Sequence, residues 1–328
     1  MLGKKIKRMA ASAHPSRRVA RGHGRLRRKR TSGAVRSAVA HARGSTDRSP
    51  PWLMVNDASG KMGSAVVEAI ARRDLPLVHE SLTGTSGGKQ ISAPHHVTLH
   101  CPNEIDAVQY LKDVKSSCDN NLIAIDFTVP DVVETMCELY VSAGVPFVLG
   151  TTGGDREWLA KRPEEAGVHA VVAPQMGKQV VALQAAMEQM ASSFPGAFSG
   201  YSLDIVESHQ PSKADTSGTA KSMVQSFNTL GVHPQVDESH VEKIRDEKQA
   251  IERMGVPEEF TSGHAFHTYT LTSPDENVQL QFKHNVCGRS IYAEGSVDAA
   301  LFLAQQIASN STKKTFSMID CLRAGQMS

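Results

Sequence analysis

The residues best suited to chemistry lie in one stretch, residues 206–220, directly after a strand-like run. His209 and Lys213, four positions apart in what reads as a loop, can place an imidazole and an ammonium beside one pocket. Residues 216–219 then open a helix-like run of residues 220–230, and the free N–H groups and dipole of a helix start favour an anion. The stretch therefore predicts two proton donors beside a carboxylate site, and hence a small acidic substrate.

Each of these residues also has an ordinary explanation when it is taken alone. His209 is one of 14 histidines, and a single histidine can be a surface or core side chain with a satisfied ring. Lys213 can be a solvated surface charge, and residues 215–217 can be a helix cap that contributes about 1 kcal/mol without any function. Their combination after a strand favours the functional interpretation, because histidine titrates in the range useful for proton transfer.

The remaining polar residues comprise one further candidate and several that we interpret as structural. Arg289 follows Gly288 at the predicted start of a strand, and its planar fork of donors could clamp a carboxylate. His264, His267 and His284 lie on strand-like segments without metal-ligand spacing. The five cysteines show no CxxC or Cys/His spacing either, which indicates reduced thiols and no metal site.

The chemical stretch is preceded by the pattern of a nucleotide-binding unit. A short apolar strand, residues 52–55, leads through a turn, residues 56–63, into a helix ending near Arg73 and a second strand, residues 75–79. Strand, glycine turn, helix and strand form the first unit of a dinucleotide-binding fold. The turn would read GxxGxxG, but its first glycine position holds Asp57, whose carboxylate we expect to repel the pyrophosphate and crowd its approach.

Strands and helices continue to alternate up to residue 174. Strand-like runs occupy residues 122–127, 145–149 and 168–173, and helix-like runs occupy residues 132–142 and 155–165. This alternation predicts an α/β fold, a Rossmann-type doubly wound parallel sheet, in which ligands bind at the carboxyl ends of strands. Three loops of this chain follow such ends, at residues 57–63, 127–128 and 150–153.

The coenzyme preference depends on the end of the second strand, where an acidic residue would bind a ribose 2′-hydroxyl. Glu80 is a candidate for that role but lies early in the segment. Lys61, in the glycine turn, could instead meet a 2′-phosphate. We therefore expect NADPH in preference to NADH.

A change of pattern after residue 175 indicates a second, smaller α+β domain. Residues 180–194 form a long helix-like run rich in Ala and Met, and residues 278–283 alternate apolar and polar side chains like a half-exposed strand. Residues 295–308 form a last helix. Because an open sheet needs a partner at its edge or face, we expect a homo-oligomer, either a dimer or a tetramer.

The first fifty residues differ from the others in charge. They hold 15 Lys and Arg against one acid, for +14, whereas the remaining residues hold 21 against 33, for −12. The acidic body is poorly suited to bind nucleic acid through bulk charge, and no apolar stretch approaches the length of a membrane span. The Arg-, Ala- and Ser-rich arm is typical of an organellar transit peptide, for a plastid or else a mitochondrion. The alternative is a nucleic-acid or nuclear-targeting arm, for which residues 25–30 are the best argument.

Several motifs together resemble the dihydrodipicolinate reductase family, whose members are also called 4-hydroxy-tetrahydrodipicolinate reductases. Residues 207–220 look like the family signature, and the similarity runs from about Val55 to near Leu322. Further matching segments are GKMG at residues 60–63, DFT at 126–128, PFVLGTTG at 146–153, GH at 263–264 and HNVCGRS at 284–290. The variants at residues 174–179 and 208–210 are similar to the plant and algal branch in particular.

The resemblance implies an oxidoreductase of lysine biosynthesis by the diaminopimelate route, which reduces a cyclic dicarboxylate, dihydrodipicolinate, to tetrahydrodipicolinate with NAD(P)H. His209 and Lys213 match the two proton-donor positions, and His209 is expected to be protonated. For substrate binding, Gly218 and Thr219 match the carboxylate cradle, Gln210 replaces a second histidine, and Arg289 is the candidate clamp. Together with the strand-end loops, the cofactor positions are Asp57, Ala58, Ser59, Gly60, Lys61, Met62, Phe127, Thr128, Gly150, Thr151, Thr152, Ala173, Pro174, Gln175 and Met176.

The resemblance also completes the expected domain order and location. Residues 1–50 would be a disordered transit-like peptide, 51–175 the dinucleotide-binding domain, 176–289 the substrate and oligomerisation domain, and 290–328 a segment returning to the first domain. The expected location is the chloroplast stroma. An alternative is a reductase-like plastid protein that acts in assembly of a photosynthetic NAD(P)H dehydrogenase complex with weak or no catalysis, and Asp57 is the residue that favours it.

Overall fold

The computed structural model describes residues 49–83, 90–91 and 96–325, of which residues 90–91 are described as backbone alone. The predicted transit-like segment therefore lies, except for its last two residues, outside the described part of the chain. The first elements are β1 (Trp52–Asn56), α1 (Lys61–Arg72), β2 (Glu80–Leu82), β3 (Gln90–Ile91), β4 (Val97–His100), α2 (Ala107–Ser117), β5 (Leu122–Asp126), α3 (Val133–Ala143), β6 (Phe147–Leu149), α4 (Arg156–Ala166) and β7 (Ala170–Val172). The later ones are α5 (Lys178–Ser193), β8 (Ser202–His209), α6 (Gly218–Thr229), β9 (Val241–Ile244), α7 (Glu247–Met254), β10 (His264–Thr272), β11 (Gln279–Cys287), α8 (Ser290–Ala308), β12 (Thr315–Phe316) and α9 (Met318–Arg323).

A parallel sheet in the order β1-β5-β6-β7-β12 forms the centre of the first domain. Every residue of β5 is buried, as expected for a strand that is covered on both faces. On one face α1 and α8 pack through Ile70 and Leu303, and on the other α2 and α3 pack through Leu111 and Tyr140. The prediction of a Rossmann-type doubly wound parallel sheet is therefore confirmed.

The second strand of the nucleotide unit is shorter than the sequence predicts. Residues 75–79 contain a single bridge, between Leu77 and Leu53, because Pro76 has no N–H to continue a ladder. Around that bridge the Leu53 N–H donates to the Pro76 carbonyl at 2.9 Å, and the Val78 N–H donates back to Leu53 at 2.9 Å. The regular strand, β2, follows immediately and pairs with β4 in a small separate sheet.

A four-stranded mixed sheet in the order β11-β10-β8-β9 forms the second domain. The helices α5 and α6 cover one face through Met187, Met223 and Phe227, and α7 packs on the other face through Ala250 and Met254. Along β11, at one edge, exposed residues alternate with half-buried ones, which agrees with the predicted period of two.

The strand β8 extends further than the sequence predicts and changes the position of a candidate residue. His209 is its last residue, because the antiparallel ladder with β10 continues to the pair His209 and Ala265. The expectation that His209 lies in a loop is therefore wrong. A strand position holds its ring more rigidly than a loop would.

After β11 the chain returns to the first domain. A left-handed turn at Gly288, with φ of 71°, leads directly into α8, and Arg289 is the N-cap of that helix rather than the start of a strand. From α8, the buried carboxylate of Asp298 pairs with Arg73 at 2.7 Å and with Lys178 at the start of α5. The strand β12 then adds to the edge of the parallel sheet beside β7. No described helix combines the length and the apolar character needed to span a bilayer.

Candidate functional site

A cavity of about 370 Å³ opens beside the strand-end loops of the first domain. Its lining residues are Met62, Phe127, Thr128, Pro130, Gly150, Thr151, Thr152, Pro174, Gln175, Met176 and Tyr292. Nine of these eleven belong to the cofactor positions expected from the sequence. Pro130 was missed although it lies two residues beyond Thr128, and Tyr292 was missed because it comes from α8, far away in sequence.

The wall of this cavity is organised by Asp126, the buried last residue of β5. Its Oδ1 accepts hydrogen bonds from the Thr128 backbone at 2.9 Å and hydroxyl at 2.6 Å, and its Oδ2 accepts one from the Tyr140 hydroxyl at 2.5 Å. The Thr151 hydroxyl in turn donates to the Thr128 carbonyl at 2.8 Å, which joins the two strand-end loops. Burial raises the pKa of Asp126, and the hydrogen bonds from Thr128 and Tyr140 oppose that rise.

The glycine turn before α1 is closed by Asp57. Its φ of 55° lies in the left-handed region, which aspartate tolerates better than most residues, so the turn forms without glycine at this position. The carboxylate lies against the start of α1, since a Cβ on Gly60 would be 2.3 Å from Asp57 Oδ2, and it accepts a hydrogen bond from the Ser59 hydroxyl at 3.2 Å. Burial raises the pKa of Asp57, against the hydrogen bonds from Ser59 and Thr83.

The other expected cofactor positions lie around the cavity but do not line it. In the turn, Ala58 is buried and its N–H donates to the Ser81 hydroxyl at 3.2 Å, while Ser59 and Lys61 are exposed. Ala173 is buried at the end of β7. These residues shape the turn and the strand end rather than the cavity wall.

Glu80, the candidate for a ribose contact, already has protein partners. Its carboxylate pairs with the His100 ring and accepts a hydrogen bond from the Tyr110 hydroxyl at 3.0 Å. These partners come from β4 and α2, which the sequence does not place beside Glu80. A ribose hydroxyl would have to compete with both of them.

His209 lies in the second domain with its ring almost fully buried. Its Nε2 is 3.4 Å from Nε2 of His267, and the two rings meet edge to face with centroids 5.0 Å apart. Burial, followed by the neighbouring His267, lowers the pKa of His209 to about 3, although the charge of Glu207 opposes the shift. The lowered pKa favours the neutral imidazole near pH 7, whereas the sequence predicts a protonated His209.

His267, interpreted from the sequence as structural, contacts the candidate catalytic residue directly. The ladder pairs it with Glu207, and its Nε2 is 3.6 Å from Glu207 Oε2. Its ring also stacks on His284 with centroids 4.5 Å apart. The sequence offered no signal for this arrangement, because the contact depends on the register between β8 and β10.

Lys213 and the start of α6 complete the second half of the site. The Lys213 ammonium, whose side chain is 23% exposed, pairs with Asp215 at 2.8 Å. At Gly218, the first residue of α6, a Cβ would meet nothing within 4 Å, so the space above the helix start is open. The Gln175 amide donates to the Thr219 hydroxyl at 3.4 Å, which connects the cavity of the first domain to this helix start. Gln210, the expected substrate contact after β8, is partly exposed.

Arg289 has neighbours in both domains. Its Nη1 is 3.1 Å from where a Cβ on Gly263 would stand, just before the strand that carries Ala265, the partner of His209. Its charge also acts on Tyr292 in the cavity wall, where burial raises the pKa of the tyrosine and the Arg289 charge opposes that rise. The arginine is thus near both candidate regions.

The ligand-type atoms of Glu207, His209 and His267 lie within 4.8 Å of one another, a separation that could suit a metal ion. Both oxygens of Glu207 are already occupied, however. Oε1 accepts a hydrogen bond from Arg245 Nη2 at 2.5 Å, and Oε2 accepts one from the Ser217 N–H at 3.1 Å. The positive guanidinium would also repel a cation, so we interpret the cluster as a hydrogen-bond network.

The fold and the site together define a two-domain α/β protein of the dinucleotide-binding class, with an open-sheet domain that carries the polar cluster. The chain belongs to the dihydrodipicolinate reductase family. The family's N-terminal model matches residues 52–176, and its C-terminal model matches residues 179–322. The family resemblance seen in the sequence is thereby confirmed.

Individual relatives support the same assignment. The chain is 52% identical over 277 residues to 4-hydroxy-tetrahydrodipicolinate reductase 1, chloroplastic, of Arabidopsis thaliana, covering 84% of this chain and 78% of the relative. It is 50% identical over 279 residues to a probable chloroplastic reductase of the same name from Oryza sativa subsp. japonica, covering 84% and 79%. The solved structure of a dipicolinate-bound dihydrodipicolinate reductase from Paenisporosarcina sp. TG-14 shares its fold, with a TM-score of 0.55 at 18% identity, over 82% of this chain and 97% of that one.

Proposed function

We propose that this protein is an NAD(P)H-dependent 4-hydroxy-tetrahydrodipicolinate reductase, which reduces a cyclic dicarboxylate to tetrahydrodipicolinate in lysine biosynthesis by the diaminopimelate route. The observation that carries the proposal is the contact between Gln175 and Thr219. It joins the cavity of the nucleotide-type domain to the open helix start beside His209 and Lys213. A hydride donor in the first half and a proton donor in the second can therefore serve one substrate.

The first-domain cavity suits a nicotinamide cofactor. Glycine at position 150 lets the Phe127 ring pack against the loop, since a Cβ there would be 2.5 Å from that ring. Met62 and Met176 provide an apolar wall, and the Asp126 network fixes the loops. A bound nicotinamide cofactor supplies the hydride for this reaction class. We assign to cofactor binding the positions expected from the sequence, and we add Tyr292 and Pro130.

We propose NADPH rather than NADH as the preferred coenzyme. The carboxylate of Glu80 is held by His100 and Tyr110, which leaves it poorly placed to bind a ribose 2′-hydroxyl. Lys61, exposed at the first position of α1, offers a cation to a 2′-phosphate. Comparing kcat/KM with NADPH and with NADH tests this preference, and equal values would contradict it.

The second-domain residues would bind the substrate and supply its proton. One carboxylate of the substrate would accept hydrogen bonds from the free N–H groups of Gly218 and Thr219, with Lys213 or Arg289 balancing its charge. The negative charge of the substrate would favour the imidazolium form and so would raise the pKa of His209, which burial lowers. His209 and Lys213 can then act as the two proton donors, with Gln210 as a further substrate contact.

The direct experiment is NADPH oxidation by the full chain with freshly made substrate. We expect turnover that requires the cyclic dicarboxylate and is inhibited by dipicolinate. If the chain neither binds NADPH nor reduces the substrate, the result would contradict the proposal and would favour a non-catalytic assembly role.

Two further properties belong to the same proposal. The chloroplastic relatives support a location in the plastid, and within it we propose the stroma. Import into isolated plastids followed by their fractionation tests this location. The half-exposed edge strand β11 supports a homo-oligomer, and sedimentation analysis of the chain distinguishes a dimer or tetramer from a monomer.

A further inference from the structure

One buried ion pair, between Glu207 and Arg245, lies beside the candidate substrate site but has no role in the proposed reaction. Glu207 is fully buried on β8, two residues before His209, and Arg245 directly follows β9, the strand that pairs with β8. Arg245 Nη2 donates to Glu207 Oε1 at 2.5 Å. The buried carboxylate is thus neutralised by a group from the neighbouring strand.

The same guanidinium also holds the loop that carries Lys213. Its Nε donates to the Lys213 carbonyl at 2.5 Å, and its Nη2 donates to the Asp215 carbonyl at 3.1 Å. A third donor, Nη1, bonds the Ile244 carbonyl at 3.1 Å, which fixes the arginine to its own strand. A planar fork with several donors can hold two loop carbonyls and a carboxylate at once, which a lysine ammonium does not reproduce.

Glu207 holds the other end of the same loop. Its Oε2 accepts the hydrogen bond from the Ser217 N–H, immediately before Gly218 begins α6. Burial raises the pKa of Glu207, but the hydrogen bonds with His267 and Arg245 outweigh it and lower the pKa to about 2, so the pair stays charged. Three backbone groups between the strand end at His209 and the helix start, those of Lys213, Asp215 and Ser217, are therefore tied to one ion pair.

We propose that Glu207 and Arg245 form a positioning pair that sets where Lys213 and the Gly218–Thr219 helix start stand relative to His209. The proposal rests on the function proposed above, and it assigns to Arg245 no contact with the reacting atoms. The pair fixes two binding elements, Lys213 and the helix start, and a misplacement of about 1 Å in such elements can cost about 10²-fold in rate.

The test compares Arg245→Lys with Arg253→Lys in the full chain. Arg245→Lys keeps the charge opposite Glu207 but cannot hold both loop carbonyls. The matched control, Arg253, forms an exposed pair with Glu242 of β9 at 2.6 Å, on the same sheet edge. We expect kcat/KM for the cyclic dicarboxylate to fall by about 10²-fold in Arg245→Lys, with weaker binding of dipicolinate, unchanged binding of NADPH and no change in the control.

Hydrogen exchange gives a second measurement that does not depend on turnover. In Arg245→Lys we expect faster exchange confined to the amides of Gln210 and of residues 212–217, and Glu207→Gln should reproduce it. Two results in Arg245→Lys would overturn the positioning role. One is amide exchange in this loop at the wild-type rate, and the other is loss of both NADPH binding and dipicolinate binding. If the wild-type chain itself fails to bind dipicolinate, the proposed function fails, while exchange confined to the loop would still support the pair as its anchor.

Discussion

The two domains each present a helix start toward the proposed ligands, and the two starts differ in the charge beside them. At α1 the carboxylate of Asp57 lies against Gly60, where the free N–H groups of the helix point. At α6 the space above Gly218 is open, and Lys213 lies on the preceding loop. A helix start attracts anions, and α1 already has one from the chain itself. At α6 the Glu207 carboxylate accepts a hydrogen bond from the Ser217 N–H, but Arg245 neutralises its charge, so the N–H groups of Gly218 and Thr219 are prepared to receive an anion.

This difference predicts that charge contributes more to binding of the proposed substrate than to binding of the proposed coenzyme. The substrate carboxylate would meet preformed donors and a cation, which gives strong charge complementarity. The coenzyme phosphates would meet a turn of the right shape that contains a negative charge, so coenzyme affinity depends more on the cavity that Met62, Met176 and Tyr292 line. Four predictions test this contrast, in order of decreasing expected effect.

The largest effect is expected from removing the proton donors beside the open helix start. His209→Ala or Lys213→Ala should lower kcat by about 10²–10⁴-fold, because a general acid contributes that much to such a step. Lys221→Ala is the control, since this lysine lies on α6 but pairs with Glu238 on the surface. NADPH oxidation measures the effect, and near-wild-type turnover in either variant would remove that residue from the mechanism.

A carboxylate placed at the open helix start should convert α6 into a copy of the α1 arrangement. Gly218→Asp should fold, because the position has free space. KM for the dicarboxylate should nevertheless rise by about 100-fold, since two unit charges about 6 Å apart repel by about 3 kcal/mol at an effective dielectric of about 20. Gly218→Ala should leave KM nearly unchanged. If both variants raise KM equally, sterics rather than charge controls this site.

Removing the charge at the α1 start should make it resemble the α6 start. Asp57→Gly should tighten NADPH binding by about tenfold, because it removes the charge at a distance where solvent screens part of it. Asp57→Asn removes the charge but keeps nearly the same side-chain shape, so it distinguishes the two contributions to NADPH binding. Since burial raises the pKa of Asp57, wild-type affinity should increase as the pH falls toward that pKa, and Asp57→Asn should flatten this dependence. Titration of NADPH fluorescence measures both, and weaker binding by Asp57→Gly would show that the carboxylate assists the coenzyme.

The smallest effect concerns how the stability of the folded protein depends on protonation of the buried histidines His209 and His284. Burial, with the nearby His267, lowers the pKa of both His209 and His284 to about 3 from the ordinary value of 6.5. Between these pH values the unfolded chain binds more protons, so the free energy of unfolding should decrease as the pH falls below 6.5. The decrease is at most about 1.4 kcal/mol per pH unit for each histidine.

The matched variant for this stability effect is His284→Phe, which keeps the ring that stacks on His267. Denaturant unfolding at pH 7.5 and 5.5 should show a smaller pH dependence in this variant than in the wild type. An equal dependence would mean that His284 is free to protonate in the folded state.

Much of the first domain could be predicted because its signals are local. The turn at residues 57–63 and the strand ends before Thr128 and Thr151 are readable along the chain, and the carboxyl ends of parallel strands meet at one edge. The predicted strand ends were wrong where a neighbouring residue or a paired strand determines how far the strand extends. Pro76 limited the second strand, and pairing with Ala265 extended β8 to His209.

The sequence by itself determined the order of strands and helices, the strand-end loops and the residue types of the proton-donor stretch, because these depend on neighbours a few positions apart. Only the tertiary structure decided that Tyr292 lines the cavity, that Arg245 holds the Lys213 loop and that burial lowers the pKa of His209. Each of these depends on burial or on strand register between residues distant in sequence, and local pattern carries no information about either.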